Sequence, residues 1–282
     1  MAVRVLQLSD LHITTDGERF GQDPRANLDR VLDDVDRRGL TPDVVVATGD
    51  LGDTGDPAEY AYLRERLGAL GVLVFCLAGN HDAEPAFTTH LPGGTLSAVD
   101  AATVDGWRFL FLDANARGRV VRPDGTVVDR EDRRHDARSG GLLPADGARL
   151  VDALAADADG PTMIWTHHPA VAHPGFVGLD EAPFSRWFVE TVGAAGSVRA
   201  VSSGHVHSSH ASERLGVHHF TCPSGWLALD LDAGTLMPPG YRWFELGADG
   251  TVVSEAYVVA DGRGPEATPY PDWVPRVLAE GG

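Results

Sequence analysis

The stretch VRVLQLSDLH, residues 3–12, predicts both a fold element and a chemistry. Its first six residues are mostly apolar, which is typical of a strand covered on both faces. Asp10 and His12 follow at the point where that strand ends. In an open α/β sheet the carboxyl ends of the strands form the edge at which ligands bind. The stretch therefore predicts a buried strand that brings two potential metal ligands to a binding edge.

The same alternation continues along the chain. Short β-branched runs lie at residues 44–47, 72–77, 109–112, 162–165 and 198–201. Helical periodicities separate some of these runs, and each begins just after a proline, where the missing N–H costs nothing. Those prolines are Pro24, Pro57, Pro144 and Pro183. Alternating strands and helices predict an α/β domain with helices on the sheet faces.

Four more of these strands end in polar residues that could bind a metal ion. The endings are Gly49-Asp50-Leu-Gly-Asp53, Gly79-Asn80-His81-Asp82, His167-His168-Pro169 and Gly204-His205-Val-His207. In extended chain, side chains two residues apart point the same way, so Asp10 with His12 and His205 with His207 can each reach one cavity. Glycines before Asp50, Asn80 and His205 allow tight turns or a close backbone approach. Mixed carboxylate, amide and imidazole donors suit Mn²⁺, Fe or Zn²⁺.

Composition excludes several classes of protein. The 282 residues include 41 acidic and 23 basic side chains, giving a net charge of -18. Such a chain repels phosphate backbones, so we expect neither a nucleic acid nor an anionic membrane as partner. No run approaches the ~18 apolar residues of a membrane span, and the N-terminus leads directly into strand-like sequence without a signal-peptide pattern. We therefore expect a cytoplasmic protein, and two cysteines exclude a disulfide framework.

The chain divides by pattern into a domain over residues 1–235 and a C-terminal β-hairpin extension and tail over residues 236–282. Residues 114–141 fall outside the alternation and carry a hairpin signal, Arg-Pro-Asp-Gly, so we interpret them as a variable insert. The later segments 218–223, 241–246 and 251–259 predict strands joined by tight turns. Together they suggest a second, partly antiparallel sheet.

The series D-x-H, G-D-x-x-D, G-N-H-D, H-H-P and G-H-x-H resembles the calcineurin-like metallophosphoesterase superfamily. Within it, the chain most resembles the bacterial class III cyclic nucleotide phosphodiesterases and their glycerophosphodiesterase relatives, over residues 4–231. The resemblance implies a two-sheet αββα sandwich that holds two metal ions, Mn²⁺, Fe²⁺/Fe³⁺ or Zn²⁺. It assigns Asp10, His12 and His207 to one ion, Asn80, His167 and His205 to the other, and Asp50 to both.

The resemblance also implies how a substrate would be held. His81 would contact the phosphate and protonate or stabilise the leaving oxygen, Asp53 would orient His81, and Asn80 and His168 would line the pocket with it. The implied reaction is hydrolysis of a cyclic nucleotide such as 3',5'-cAMP, or of another small phosphodiester, through a hydroxide shared by the two ions.

The sequence leaves other functions open. The same site could serve a phosphomonoesterase or a nucleotide pyrophosphatase, and a scaffold without turnover is a remote alternative. Protein phosphatases continue G-D-x-x-D with Arg-Gly, whereas Asp53 is followed by Thr54 and Gly55, which weighs against that group. Relatives often form homo-oligomers, and nothing in the sequence decides this.

Overall fold

The computed structural model describes residues 2–83, 85–115, 119–121, 127–129, 141–156, 160–171, 173–174, 183–262, 267–271 and 274. Two six-stranded sheets form the framework. The first contains, in spatial order, β16 (Val252–Val258), β15 (Gly240–Leu246), β1 (Val3–Leu8), β2 (Val44–Thr48), β3 (Leu73–Leu77) and β4 (Leu96–Ser97). The second contains β11 (His210–Arg214), β12 (Val217–Thr221), β10 (Val198–Ser203), β9 (Thr162–Thr166), β6 (Trp107–Leu112) and β5 (Ala101–Val104).

The central strands of both sheets run parallel, so their carboxyl ends meet at one edge. In the first sheet β1 pairs with β2, and β2 with β3, in parallel register. In the second, β9 pairs in parallel with both β6 and β10. Parallel neighbours need a crossover connection, and each of the five helices in the described part of the chain lies between two parallel neighbours. The helices are α1 (Pro24–Arg37), α2 (Pro57–Gly68), α3 (Ala86–His90), α4 (Pro144–Ala156) and α5 (Pro183–Ala194).

Three buried apolar clusters separate four layers. The middle cluster joins the facing sides of the sheets, for example Val5 and Phe244 with Phe109 and Trp165. A second cluster packs α1 and α2 on the outer face of the first sheet, and a third packs α4 and α5 on the outer face of the second. The predicted αββα sandwich is therefore confirmed, and strands covered on both faces explain the continuous apolar runs.

The helices begin where the prolines predict. Asp23 caps α1 by accepting from the backbone N–H groups of Arg25 and Ala26. Asp56 caps α2, and Glu59 completes a capping box by bonding back to the Asp56 N–H. The four long helices all start at the proline itself. The short helix α3 also follows a proline, Pro85, but its five residues are too few to show a helical periodicity, and it is not among the helices that the sequence predicts.

The interpretation of the late strands is wrong in one respect. The hairpin β15–β16 does not join the second sheet, because β15 pairs antiparallel with β1 from Val3↔Leu246 to Gln7↔Arg242. Only β12, with β11, extends the second sheet. Alternation shows that a strand exists but not which edge it joins, and β1 offered an open edge. The proposed division at residue 235 falls within strand β14 (Thr235–Met237), ahead of a hairpin that belongs to the first sheet, and it stays a prediction.

Smaller elements complete the described part of the chain. The insert forms an antiparallel pair, β7 (Arg119–Val121) with β8 (Val127–Asp129), at the predicted hairpin signal. Residues 116–118, 122–126 and 130–140 lie outside the described residues, as does most of the tail after residue 262. A three-stranded sheet joins β13 (Ala228–Asp230), β14 (Thr235–Met237) and β17 (Thr268–Pro269).

Candidate metal centre

The five polar endings come together at the shared carboxyl edge of the sheets. Loops after β1 and β2 run side by side, since the Asp10 N–H donates to Gly49 O at 2.9 Å and the His12 N–H donates to Asp50 O at 2.9 Å. Four groups of possible ligands result, each with donor atoms within 4.8 Å of one another. The groups are Asp10 with His12 and His207; Asp10 with Asp50 and His167; His12 with Asp53 and His81; and His167 with His168 and His205.

The backbone of this site is strained in a regular way. Positive φ angles are rare for residues other than glycine, yet five of the candidate ligands adopt them. They are Asp10, His12, Asp50, His205 and His207, with φ between 45° and 71°. Strain of this kind collects at functional sites and costs about 1–3 kcal/mol per residue. The residues are therefore not in extended chain, and the expectation that extended spacing aligns them is wrong: left-handed turns aim them.

The glycines of the motifs make room for the ligands. A Cβ on Gly79 would overlap the Asp50 carboxylate, and one on Gly204 would lie 2.6 Å from Asp10 Oδ2. At Gly49, which has a φ of +88°, a Cβ would lie 2.5 Å from His167 Nδ1. Close approach explains all three glycines, and only Gly49 also needs its positive φ.

One donor set surrounds Asp10, His12 and His207. His12 Nε2 lies 3.3 Å from His207 Nε2, and His207 Nε2 lies 3.4 Å from Asp10 Oδ1. The His205 N–H donates to both Asp10 carboxylate oxygens, at 3.1 and 3.0 Å. On the far side of its ring, His207 Nδ1 contacts Leu227 O at 3.0 Å, which turns Nε2 towards the shared space.

A second donor set surrounds Asp50, Asn80 and His167. His167 Nε2 lies 3.1 Å from Asn80 Oδ1 and 3.3 Å from Asp50 Oδ2. Its other nitrogen, Nδ1, contacts Thr48 O at 2.8 Å. The same Asp50 Oδ2 lies 3.8 Å from His12 Nε2 in the first set. One carboxylate oxygen thus faces both donor sets.

The electrostatics suit a cation at the centre. Burial lowers the pKa of His12 well below its usual value, and nearby His81 lowers it further. Burial, with His168 and His167, does the same for the pKa of His205. Burial would raise the pKa of Asp50, but His167 and His81 outweigh it and hold that pKa well below the usual range. Neutral imidazoles and an ionised carboxylate are the protonation states that metal binding requires.

Two histidines of the centre, His167 and His207, have a raised pKa because each faces a carboxylate. Although burial opposes it, the Asp50 carboxylate raises the pKa of His167 to about 9. In the same way, against burial, Asp10 raises the pKa of His207. The Asp50 carboxylate therefore holds a proton on His167 at neutral pH, and Asp10 favours the protonated form of His207 in the same direction. Metal binding releases such protons, so the donor chemistry of the described residues fits divalent ions of the Mn²⁺, Fe²⁺ or Zn²⁺ type.

Asp53 and His81 lie together, but not through the contact that was expected. His81 Nδ1 is 2.9 Å from the backbone oxygen of Asp53 and 3.6 Å from its carboxylate. The carboxylate oxygen Oδ1 instead lies 3.1 Å from Nδ1 of His12. Asp53 therefore contacts His81 through its main chain and a candidate metal ligand through its carboxylate, and its orienting role stays a prediction.

His168 is buried against the second donor set. Its ring centroid lies 4.3 Å from that of His205 and 5.0 Å from that of His167, and the residue is 1% exposed. Its predicted contact with substrate stays a prediction. Asn80 is exposed and His81 is half-buried, so these two face the solvent side of the centre.

Three supporting residues were missed or left undecided by sequence reasoning. Arg19 forms an ion pair with the Asp53 carboxylate. Asp82 accepts from backbone groups on two motif loops, Gly79 N–H at 2.8 Å among them. Ser224 Oγ donates to Asp10 O at 2.7 Å and accepts from the Trp226 N–H at 3.0 Å. Of these three residues, only Asp82 lies in a motif. It precedes helix α3 by four residues, and nothing in that position predicts its contacts with two loops.

Comparison with known proteins shows the family of this chain. Residues 3–209 match the family model described as calcineurin-like phosphoesterase. A protein of Synechococcus sp. named a probable cyclic nucleotide phosphodiesterase is 27% identical over 267 residues, which cover 92% of this chain and 93% of that protein. The 3',5'-cyclic adenosine monophosphate phosphodiesterase CpdA of Escherichia coli is 26% identical over 270 residues, covering 93% and 91%.

A solved structure shares the fold. The crystal structure of a dimetal phosphatase from Danio rerio superposes with a TM-score of 0.60 at 17% identity, covering 92% of this chain and 99% of that one. The family match and the named relatives define a phosphoester hydrolase. The chain belongs to the calcineurin-like phosphoesterase family. Among the residues that the structure describes, no helix has the length and apolar character needed to cross a membrane.

Proposed function

We propose that this protein is a phosphodiesterase that uses two metal ions to hydrolyse cyclic nucleotides or other small phosphodiesters. The observation that carries the proposal is the position of Asp50, whose Oδ2 faces His167 of one donor set and His12 of the other. Two ions that share one carboxylate can clamp the attacking and leaving oxygens of an in-line displacement, and they lower the pKa of a coordinated water.

The protein's own residues have distinct roles in the proposal. Asp10, His12 and His207 would hold one ion, Asn80, His167 and His205 would hold the other, and Asp50 would contribute to both. His81, half-buried at the solvent side, donates a proton to the leaving oxygen of the substrate. Its Nδ1 is engaged by Asp53 O at 2.9 Å, so Nε2 is the nitrogen that faces the substrate.

The choice of a diester rests on the relatives. Both curated relatives above are named as cyclic nucleotide phosphodiesterases, and each matches this chain over more than nine-tenths of its length. The net charge of -18 argues against a nucleic acid as substrate. A small phosphodiester is therefore the substrate class that we propose, with phosphomonoesters and nucleotide pyrophosphates as the alternatives to test.

The first experiment measures metal-dependent turnover. Protein stripped with a chelator is titrated with Mn²⁺ while hydrolysis of bis(p-nitrophenyl) phosphate is followed. We expect turnover that depends on Mn²⁺ and falls more than about 100-fold in Asn80→Ala, since losing even a partner of a metal ligand costs 10- to 100-fold. The control is His218→Asn, because the His218 side chain is 46% exposed on β12 and lies outside all four ligand groups.

A substrate panel then separates the candidate activities. Rates are compared for 3',5'-cAMP, a glycerophosphodiester and p-nitrophenyl phosphate at saturating Mn²⁺. The proposal expects both diesters to be hydrolysed faster than the monoester. A faster monoester would assign the site to a phosphomonoesterase, and bound Mn²⁺ with no turnover on any substrate would point to a scaffold.

A further inference from the structure

Arg19 lies outside every motif of the metal centre, yet its guanidinium reaches that centre. Its Nη1 forms an ion pair with Asp53 Oδ2. The guanidinium carbon lies 5.3 Å from the Phe20 ring centroid and 5.9 Å from that of Trp226. The Trp226 ring in turn lies 4.9 Å from the His12 ring. The arginine is thus a neighbour of a candidate metal ligand, through one carboxylate and one indole.

A tight turn sets the position of Arg19. Its backbone exchanges two hydrogen bonds with Gln22, at 2.8 and 3.0 Å. The two residues between them, Phe20 and Gly21, have φ angles of 50° and 74°. Two positive φ angles in succession characterise the type I′ turn, which glycine and asparagine normally occupy. The turn therefore pins the backbone of Arg19 at the cost of strain in Phe20.

The Asp53 carboxylate has two histidines within reach. Oδ1 lies 3.1 Å from His12 Nδ1 and 3.6 Å from His81 Nδ1. Because the two carboxylate oxygens are rigidly linked, an arginine on Oδ2 fixes the direction in which Oδ1 points. Holding Oδ1 on His12 keeps the proton of that ring on Nδ1 and presents the Nε2 lone pair to the centre.

Exposure distinguishes the two partners of this ion pair. The Asp53 side chain is 3% exposed, whereas the Arg19 side chain is 34% exposed. A buried carboxylate needs a partner that holds it, while a half-exposed arginine on a surface turn does not need the carboxylate to stay in the fold. The ion pair therefore has its main consequence at Asp53 and His12 rather than at the turn.

We propose that Arg19 is a positioning residue of the metal centre, which clamps Asp53 onto His12 and so secures the ion that His12 holds. The inference rests on the proposed two-metal function and adds to it a residue from the loop between β1 and α1. Simple Coulomb attraction predicts the opposite effect of losing Arg19, because removing a positive charge from an acidic site strengthens cation binding.

The test is calorimetric titration of the chelator-stripped protein with Mn²⁺. In Arg19→Gln we expect one of the two ions to bind about 10- to 100-fold more weakly, as for loss of other groups that orient a metal ligand, with the second ion unchanged. Arg19→Lys should recover part of the loss, since lysine keeps the charge but not the planar fork. The matched control is Arg66→Gln, which breaks the Arg66–Asp29 ion pair between helices α2 and α1.

A double variant tests whether Arg19 acts through Asp53. In an Asp53→Ala background, Arg19→Gln should cause no further loss of Mn²⁺ affinity, because no carboxylate remains to be held. Unchanged or tighter binding in Arg19→Gln, equal weakening of both ions, or additive losses in the double variant would each overturn the inference. A wild-type protein that binds fewer than two Mn²⁺ ions would overturn the proposed function, and the inference with it.

Discussion

Replacing Asp82 with alanine removes four hydrogen bonds that join two loops of the metal centre. The carboxylate ties the loop that follows β3 to the loop that follows β2. It accepts from the N–H groups of Gly79 at 2.8 Å, Leu51 at 3.2 Å and Gly52 at 3.0 Å, and from the Tyr60 hydroxyl at 3.1 Å. The first loop carries Asn80 and His81, and the second carries Asp50.

The size of the effect follows from the three backbone donors. Gly79, Leu51 and Gly52 are buried, and each buried donor left without a partner costs roughly 1–3 kcal/mol. Two effects reduce that sum. First, Asp82 is half-buried, so water can replace part of the carboxylate. Second, burial and the repulsion from Asp50 raise the pKa of Asp82 to about 6, and the alanine variant relieves that repulsion. We expect Asp82→Ala to lower the free energy of unfolding by about 3 kcal/mol.

Function should fall as well, because Asn80 and Asp50 would no longer be held relative to each other. A displacement of about 1 Å among catalytic groups can cost 100-fold in rate. The assays are urea unfolding of the metal-free protein and Mn²⁺-dependent hydrolysis of bis(p-nitrophenyl) phosphate. Asp29→Ala is the control: the Asp29 side chain is 53% exposed and pairs only with Arg66 among the described residues, and such surface pairs contribute about 1 kcal/mol or less.

Asp82→Asn separates the charge from the hydrogen bonds. Asparagine keeps one acceptor oxygen but turns an NH₂ group towards backbone donors. Asp82→Asn should therefore lower the free energy of unfolding by at least half as much as Asp82→Ala does. If Asp82→Ala unfolds within 1 kcal/mol of the wild type, or keeps its turnover within a factor of two, the carboxylate does not hold the loops together.

Three further perturbations probe other parts of the molecule. Burial lowers the pKa of His219 from 6.5 to about 4. Between pH 6.5 and about 4 the unfolded chain therefore binds more protons than the folded chain, and the free energy of unfolding should fall by about 3 kcal/mol as the pH drops through this range. His219→Gln should remove that fall. Gly79→Ala should abolish Mn²⁺-dependent turnover, because its Cβ would overlap the Asp50 carboxylate. Chelation should lower the free energy of unfolding by about 2.7 kcal/mol for each site that was filled at 100 times its Kd.

Each of these has its own control. Urea unfolding at pH 7 and pH 4.5 gives the contribution of His219 to the free energy of unfolding, as the difference in pH dependence between wild type and His219→Gln. An equal pH dependence of the two proteins would contradict a buried neutral imidazole. Gly68→Ala pairs with Gly79→Ala, since a Cβ at Gly68 would lie 3.7 Å from Leu96 and disturb nothing. For chelation, the melting temperature should recover when Mn²⁺ is added. If neither chelation nor Mn²⁺ changes the melting temperature, the donor sets do not bind the metal.

The local part of the fold could be predicted from the sequence. Helix starts at Pro24, Pro57, Pro144 and Pro183 follow from one-residue chemistry, since proline fits the first turn and fails inside it. The parallel strands were visible because burial on both faces requires apolar runs. The partner of the β15–β16 hairpin was not visible, because a strand edge is a property of the assembled sheet.

The candidate site divides in the same way. Ligand identity is written in short motifs, and the place of each motif after a strand predicts that all five meet at one edge. How the ligands aim was decided by the folded chain, where Asp10, His12, Asp50, His205 and His207 take left-handed backbone angles that no spacing rule anticipates. Strain of this kind is tolerated only when surrounding packing imposes it.

By itself, then, the sequence determined which chemical groups exist and which strand carries each one, because those depend on neighbours within a few residues. The tertiary structure alone decided that Asp53 serves His12 with its carboxylate and His81 with its main chain. It also decided that Arg19, 34 residues earlier in the chain, is the cation that holds that carboxylate. These contacts depend on distances across loops from different strands, and such distances are set only when the two sheets pack and their edges align.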